Sequence, residues 1–319
     1  MRRIKRRCKA GVSLCCFAIL FVLCFHWLSG LIPFVDLRQS RVWRDIYQNK
    51  NTVSYAFFGS SHVYCGINPM QIQQKTGKKA VLISSGMQTL AETYYCMEEM
   101  LKYQKPEMVF VDLYAAYKEF TETNYTNLDC MRLSLTKVRL AKAAFSDTRL
   151  IDALFPLIRE HSNWKDFDNL KQNIENRNPK TPYEFGFSGI DTKMSDEQYQ
   201  GYLAMEYDAT PFVLREQDEA MIEKIKQLGE QKNVKVVFLL IPWLEEFTKT
   251  IQYDSFLSEM NRATGGMLAL TREEYQELGL SRETFIEDKV SDNQHLNLQG
   301  AQRYTDFIIQ RVILQERER

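Results

Sequence analysis

Short, nearly continuous apolar runs alternate along this chain with longer segments in which apolar residues recur every three or four positions. Val53 to Phe58, Ala80 to Ile83, Met108 to Leu113 and Val234 to Ile241 have the length and β-branched or aromatic content of buried strands. Ala91 to Tyr103 carries Tyr95, Met97 or Met100, and Leu101 at helical spacing, and Phe212 to Gln231 is a charged amphipathic helix. The last helix runs from about Leu298 to Leu314, with Asn297 placed to cap its start. Residues 42–51, VWRDIYQNKN, read as a short helix and polar connector. Strands alternating with helices predict an α/β fold, a doubly wound and mainly parallel sheet with helices on both faces. Ligands bind such sheets at the carboxyl ends of the strands.

Residues 115–211 break this rhythm. They hold helical pieces (Met131 to Phe145, Leu150 to Arg159, Trp164 to Asn176) and then the turn-rich aromatic run TPYEFGFSGIDT. A structureless loop of that length is improbable, so the segment reads as a helical insertion capping the sheet edge. Packing alone and a substrate-shaping role are both open for it.

The longest apolar stretch, Ala10 to Val35, has 26 residues without a charged side chain. About 20 helical residues suffice to cross a hydrocarbon core. The expected organisation is a basic cytoplasmic tail (1–9), a transmembrane helix (10–35), a connector (36–52) and an extracytoplasmic domain (53–319). Six of the first nine residues are Arg or Lys, and such residues stay on the cytoplasmic side. The rival is a cleaved signal peptide, against which Phe25-His26-Trp27-Leu28 offers no small-x-small cleavage pattern.

The chain is formally neutral, with 41 basic and 41 acidic residues; removing the six basic residues of the tail leaves 35 against 41, a net −6. That balance excludes the cationic surface that nucleic acid requires. Of seven cysteines, only Cys65, Cys96 and Cys130 lie beyond the apolar segment. Their spacing fits no zinc motif, and buried thiols or one pair such as Cys65 with Cys96 are the readings left. Asn124-Tyr125-Thr126 is a glycosylation sequon.

Candidate chemistry begins at AFFGSSHVYCGINP, residues 56–69, where the first predicted strand ends in adjacent hydroxyls and an imidazole. A serine becomes a nucleophile only beside a base, and the base needs a third group to hold its tautomer. The four histidines are His26 in the apolar segment, His62 after the serines, His161 in the insertion, and His295 in SDNQHLNLQGA, three residues after Asp292. His62 is too near in sequence to Ser61 for the two side chains to meet on an extended strand, and reads as lining the pocket. Ser60 reads as a turn support and Cys65 as packing. Glu98-Glu99 and Glu245-Glu246 read as surface charge.

Gly59-Ser60-Ser61 after the first strand, with Asp292-x-x-His295 before the last helix, resembles the SGNH (GDSL-type) hydrolases. The resemblance implies a flavodoxin-like sheet, Ser61 as nucleophile, His295 as base and Asp292 as its acid. The family's second block falls on ISSGMQTLAETYY, which places Gly86 as a backbone donor to the tetrahedral oxyanion, alongside the amide of Ser61. The third block normally supplies an asparagine. Here strand three ends VFVDLYAAY, with Asp112 and Tyr114, so the hole lacks one donor or Tyr114 replaces it.

The basic start, single span and F-G-S-S-H resemble a membrane-anchored branch. It includes the D-alanine transfer protein of teichoic acid synthesis and the acetyltransfer proteins of exopolysaccharide assembly. This implies a serine esterase or O-acyltransferase acting on a cell-envelope polymer, partnered by a polytopic membrane-bound O-acyltransferase and needing no metal or organic cofactor. The alternatives are a scaffold that keeps the fold without the chemistry, and a secreted lipase released by signal cleavage.

Overall fold

The four apolar runs form the sheet of the computed structural model, which describes residues 2–120, 124–144, 150–176, 179–287 and 294–315, with side chains from Gly11 onward. The strands are Tyr55–Gly59 (β1), Ala80–Ser84 (β2), Met108–Asp112 (β3) and Lys235–Leu239 (β4). They lie in the order β2-β1-β3-β4, and every pairing is parallel. All residues of β1, β2 and β3 are buried. Successive side chains on a strand point to opposite faces, so both faces of these strands are covered. Across the β1–β3 pair Phe57 stacks on Phe110, with ring centroids 4.3 Å apart.

The strands are shorter than their apolar runs because the flanking amides find other partners. The amide of Val53 donates to the Gln104 side chain (3.1 Å) and that of Val234 to the Gly229 carbonyl (2.9 Å). Beyond β4, the Leu240 amide turns to Leu268 and the Ile241 amide to the Asp112 carboxylate, at 2.9 Å and 3.1 Å.

Helix boundaries move for similar local reasons. The connector helix begins at Leu37, earlier than its apolar pattern suggests, because Asp36 accepts the Gln39 amide at 2.9 Å and caps it. Leu90–Met100 is capped by Thr89 and stops before Tyr103. Phe212 to Arg215 are extended, the Phe212 amide donating to Ser255, and the helix is Glu216–Lys232. Asn297 caps Leu298–Ile308 as expected, accepting the Gly300 amide at 3.0 Å; the turns after it, Ile309–Leu314, widen to a π-helix.

Each sheet edge is engaged at one point by the chain's own backbone. On the β2 side the Phe185 carbonyl accepts the Leu82 amide at 2.9 Å, and Gly186 (φ +98) lies so close that a Cβ there would stand 2.5 Å from the Leu82 carbonyl oxygen. The aromatic run of the insertion therefore caps the sheet edge. On the β4 side Leu268 bridges Leu239. The remaining insertion is helical: Thr126–Cys130, Leu135–Ala144, Leu150–Leu154, Pro156–Arg159, a 3-10 turn at His161–Lys165, Phe167–Glu175 and Asp196–Leu203. The helix expected from Leu150 to Arg159 is broken before Pro156, whose ring cannot continue it.

The N-terminal helix is Arg2–Ser29, and its segment Gly11–Ser29 is long and apolar enough to cross a membrane. Cys65, Cys96 and Cys130 are free thiols, so the Cys65–Cys96 pairing is not formed.

Candidate active site

β1 turns into a short helix, Ser61–Gly66, at a place with no room for a side chain. Gly59 has φ +153, and a Cβ there would meet Val63 Cγ2 at 2.7 Å and Asp112 Cβ at 2.8 Å. Ser60 is extended and Ser61 is the first helical residue. The chain leaves β1 for β2 on one side and returns to β3 on the other. The carboxyl ends of β1 and β3 are thus the switch point of this sheet, where ligand sites form.

His295 reaches the same point from the far end of the chain. Its carbonyl accepts the Ile286 amide at 2.9 Å, and its neighbour Leu296 bridges Phe285. Asn297 fastens the loop by donating to the carbonyls of Thr192 and Glu283, and Gln294 accepts the Leu244 amide at 2.8 Å. His295 Nε2 stands 2.6 Å from Ser61 Oγ across 234 residues of sequence. With that nitrogen unprotonated, the hydroxyl donates to it, the arrangement a serine needs for activation. Asp292, the expected acid, lies outside the described residues.

Gly86, also expected here, sits in the turn after β2. A Cβ at Gly86 would lie 4.0 Å from the Tyr64 hydroxyl and 3.5 Å from Asn124 Nδ2. Burial pushes the Tyr64 phenol up to about 12, against the smaller lowering effects of the Arg38 guanidinium and the Ser61 side chain. The Arg38 guanidinium stacks 4.2 Å from the centre of the Tyr64 ring while donating to the carbonyls of Ser84 and Gly186. The connector is therefore part of the site's wall. Tyr64 follows Ser61 by three residues, one helical turn, so both face the same way; that spacing was visible in the sequence.

Asn124 lies ten positions beyond Tyr114, where no sequence signal pointed to it except the sequon. Asn124 is half-buried; its Oδ1 accepts the Thr126 amide at 2.8 Å, and its Nδ2 would lie 3.5 Å from a Cβ at Gly86.

Tyr114, considered as a replacement donor, is buried beside the site. Its ring packs on His62 (centroids 3.9 Å apart) and on Trp243, inside the aromatic floor. His62 is buried with its ring 4.8 Å from that of His295. Burial first, and the neighbouring His295 second, hold His62 well below the usual imidazole range. Its Nδ1 is 3.4 Å from Ser60 Oγ, and Nε2 has no well-aligned partner although the Gln294 backbone nearby favours the charged ring. His62 is thus a neutral neighbour of the base. Asp112 is buried under Gly59, accepts the Ile241 amide, and is pushed up to about 7 by desolvation.

A second polar cluster lies just past β2. Trp43 Nε1 donates to Asn127 Oδ1 (3.0 Å), Asn127 Nδ2 donates to Gln88 Oε1 (2.8 Å), and Gln88 Nε2 donates to Thr93 (3.0 Å). Glu92 joins it, with Ser85 donating at 3.3 Å, and desolvation raises its carboxyl to about 8.

Two cavities meet at Asn124. One, of about 190 Å³, lies between the end of the N-terminal helix and the insertion, bounded by Pro33, Phe34, Tyr125 and Arg159. The other, about 310 Å³, is bounded by Met87, Glu92, Phe120 and Arg215. Neither is lined by Ser61 or His295. Larger clefts lie beside Arg38 and Gly186 (about 480 Å³), around Tyr253 and Tyr275 (about 660 Å³) and at the amino-terminal end of β4 (about 670 Å³). Among the described residues no cluster of His, Cys, Asp or Glu is suited to a metal ion.

No family model and no curated protein matches the chain.

Proposed function

We propose that this chain is a membrane-anchored serine acyltransferase or esterase of the SGNH type, acting outside the membrane on an acylated cell-envelope polymer. The observation that carries the reading is the 2.6 Å contact between Ser61 Oγ and His295 Nε2 at the switch point of the sheet. Ser61 attacks the carbonyl carbon of an ester or thioester as its proton passes to His295. Asp292, three residues before the histidine, holds the imidazolium. The negative charge gathers on the carbonyl oxygen, and the amides of Ser61 and Gly86 receive it. Asn124 Nδ2, beside Gly86, supplies the side-chain donor absent from the end of β3.

Collapse expels the leaving alcohol or thiol with the proton from His295. A polymer hydroxyl or water, deprotonated by the same imidazole, then releases the acyl group. The basic tail before the apolar helix supports an orientation with the domain outside, where a polytopic O-acyltransferase would hand it the acyl group.

A fluorophosphonate probe tests the assignment. The full chain should be labelled covalently, and Ser61→Ala should lose the label while keeping its melting temperature. A folded, unlabelled wild-type chain would instead mark a scaffold.

A further inference from the structure

Phe167–Glu175 is a helix turned inside out. It buries Asn169 and Asn173 against the protein and leaves Phe167 and Ile174 exposed, at 77% and 56% of their surface. The asparagines lie one turn apart on one face. Asn169 donates to the Ile32 carbonyl at 2.8 Å, and Asn173 to those of Leu31 and Pro33, both at 2.7 Å. The far side carries Phe167 and Ile174, seven positions or two turns apart, with half-buried Leu170 between the two faces. A helix against water would orient the other way.

The surrounding segment continues the pattern. Ile151, Ile158 and Trp164 are exposed as well, at 62%, 41% and 56%. The location explains it. Phe155 packs edge-on against Phe25, with centroids 5.8 Å apart, and Glu160 accepts the Phe34 amide at 2.7 Å. Phe25 precedes Ser29, the last residue of the apolar helix, by four positions, about 6 Å of helix. If Gly11–Ser29 crosses a bilayer, the segment touching Phe25 lies at its surface, at the depth interfacial helices occupy.

We infer that residues 150–176 lie on the bilayer, with lipid acyl chains against Ile151, Ile158, Trp164, Phe167 and Ile174. Lys165 and Lys171 flank the patch, where long stems can carry their charges up to the headgroups. The chain then holds the membrane by two elements, a crossing helix and a collar fastened to its end, and the domain cannot swing freely about the crossing helix. This rests on the span and is independent of the chemistry assigned to Ser61.

Tryptophan quenching by brominated lipid tests it on the full chain. Of the four tryptophans, Trp43 and Trp243 are buried, which leaves Trp27 and Trp164 able to meet lipid. In phosphatidylcholine vesicles, the Trp27→Phe protein should be dimmer when the acyl chains are brominated than when they are not. That difference should vanish on adding Trp164→Phe. Adding Phe167→Ser and Ile174→Ser to the Trp27→Phe protein should at least halve the quenching without lowering its melting temperature. Equal fluorescence of the Trp27→Phe protein in the two lipids would overturn the inference. So would quenching that appears only at high protein-to-lipid ratio together with cross-linked dimers, since a second copy would then be arranging the patch.

Discussion

Two polar clusters sit within one turn of the carboxyl ends of neighbouring strands, and they solve opposite problems. After β1, Ser61 and His295 are joined by one short hydrogen bond, with Tyr64 alongside and the half-open face of Gly86 next to them. After β2, Trp43, Asn127, Gln88, Thr93 and Glu92 close a buried network, each bonded to the next or to a shared partner. In the first cluster a half-exposed hydroxyl meets an imidazole nitrogen, the contact on which the proposed chemistry rests. The second fixes the strand-to-helix turn that carries Gly86. Buried polar groups stabilise a fold only when satisfied, so reactivity is expected from the first cluster and rigidity from the second.

Substitutions should separate the two. His295→Gln should slow probe labelling by roughly a thousandfold or more, the scale of losing the base of a serine triad, while the melting curve barely moves. Asn127→Ala should do the reverse. It strips a partner from Trp43 Nε1 and from Gln88 in a dry interior, and denaturant titration should read a loss of about 3 kcal/mol.

Asn124→Asp keeps the acceptor for the Thr126 amide but turns a donor toward the site into an anion. Labelling should fall by roughly a hundredfold, the scale of one lost oxyanion donor, with stability nearly unchanged. An unaltered rate would remove Asn124 from the site.

The smallest effect is one of pH. Glu92, with its carboxyl raised from its ordinary value of 4.5 to about 8, binds a proton in the folded chain that the unfolded chain has already lost. Its contribution is therefore fully present below about 4.5 and is lost as pH rises toward about 8. Glu92→Gln should flatten that part of the melting-temperature profile. His62 works the other way, since a buried neutral imidazole favours unfolding as pH falls through the ordinary histidine range, about 6.5.

The sheet was legible because its strands are buried on both faces and so read as unbroken apolar runs. Ser61 and His295 were legible because each follows or precedes a recognisable element. Arg38, Asn124 and the Glu92 network were not, since each acts through partners distant in sequence, and no periodicity records which residue meets which. Phe167–Glu175 was legible as part of the helical piece read from Trp164 to Asn176, but its buried face was not. Period locates an apolar stripe, and only the surroundings decide whether that stripe turns inward. The role given to Asp292 stays with its spacing from His295, outside the described residues.

The turn at Phe185-Gly186 and the bridge at Leu268 have a consequence for chains crowded together. An open strand margin is a template on which a neighbour's backbone can polymerise. Here one margin gives its Leu82 amide to the chain's own Phe185 and the other is engaged by its own Leu268. A neighbour's strand adding at either of those points would first have to displace the chain's own backbone.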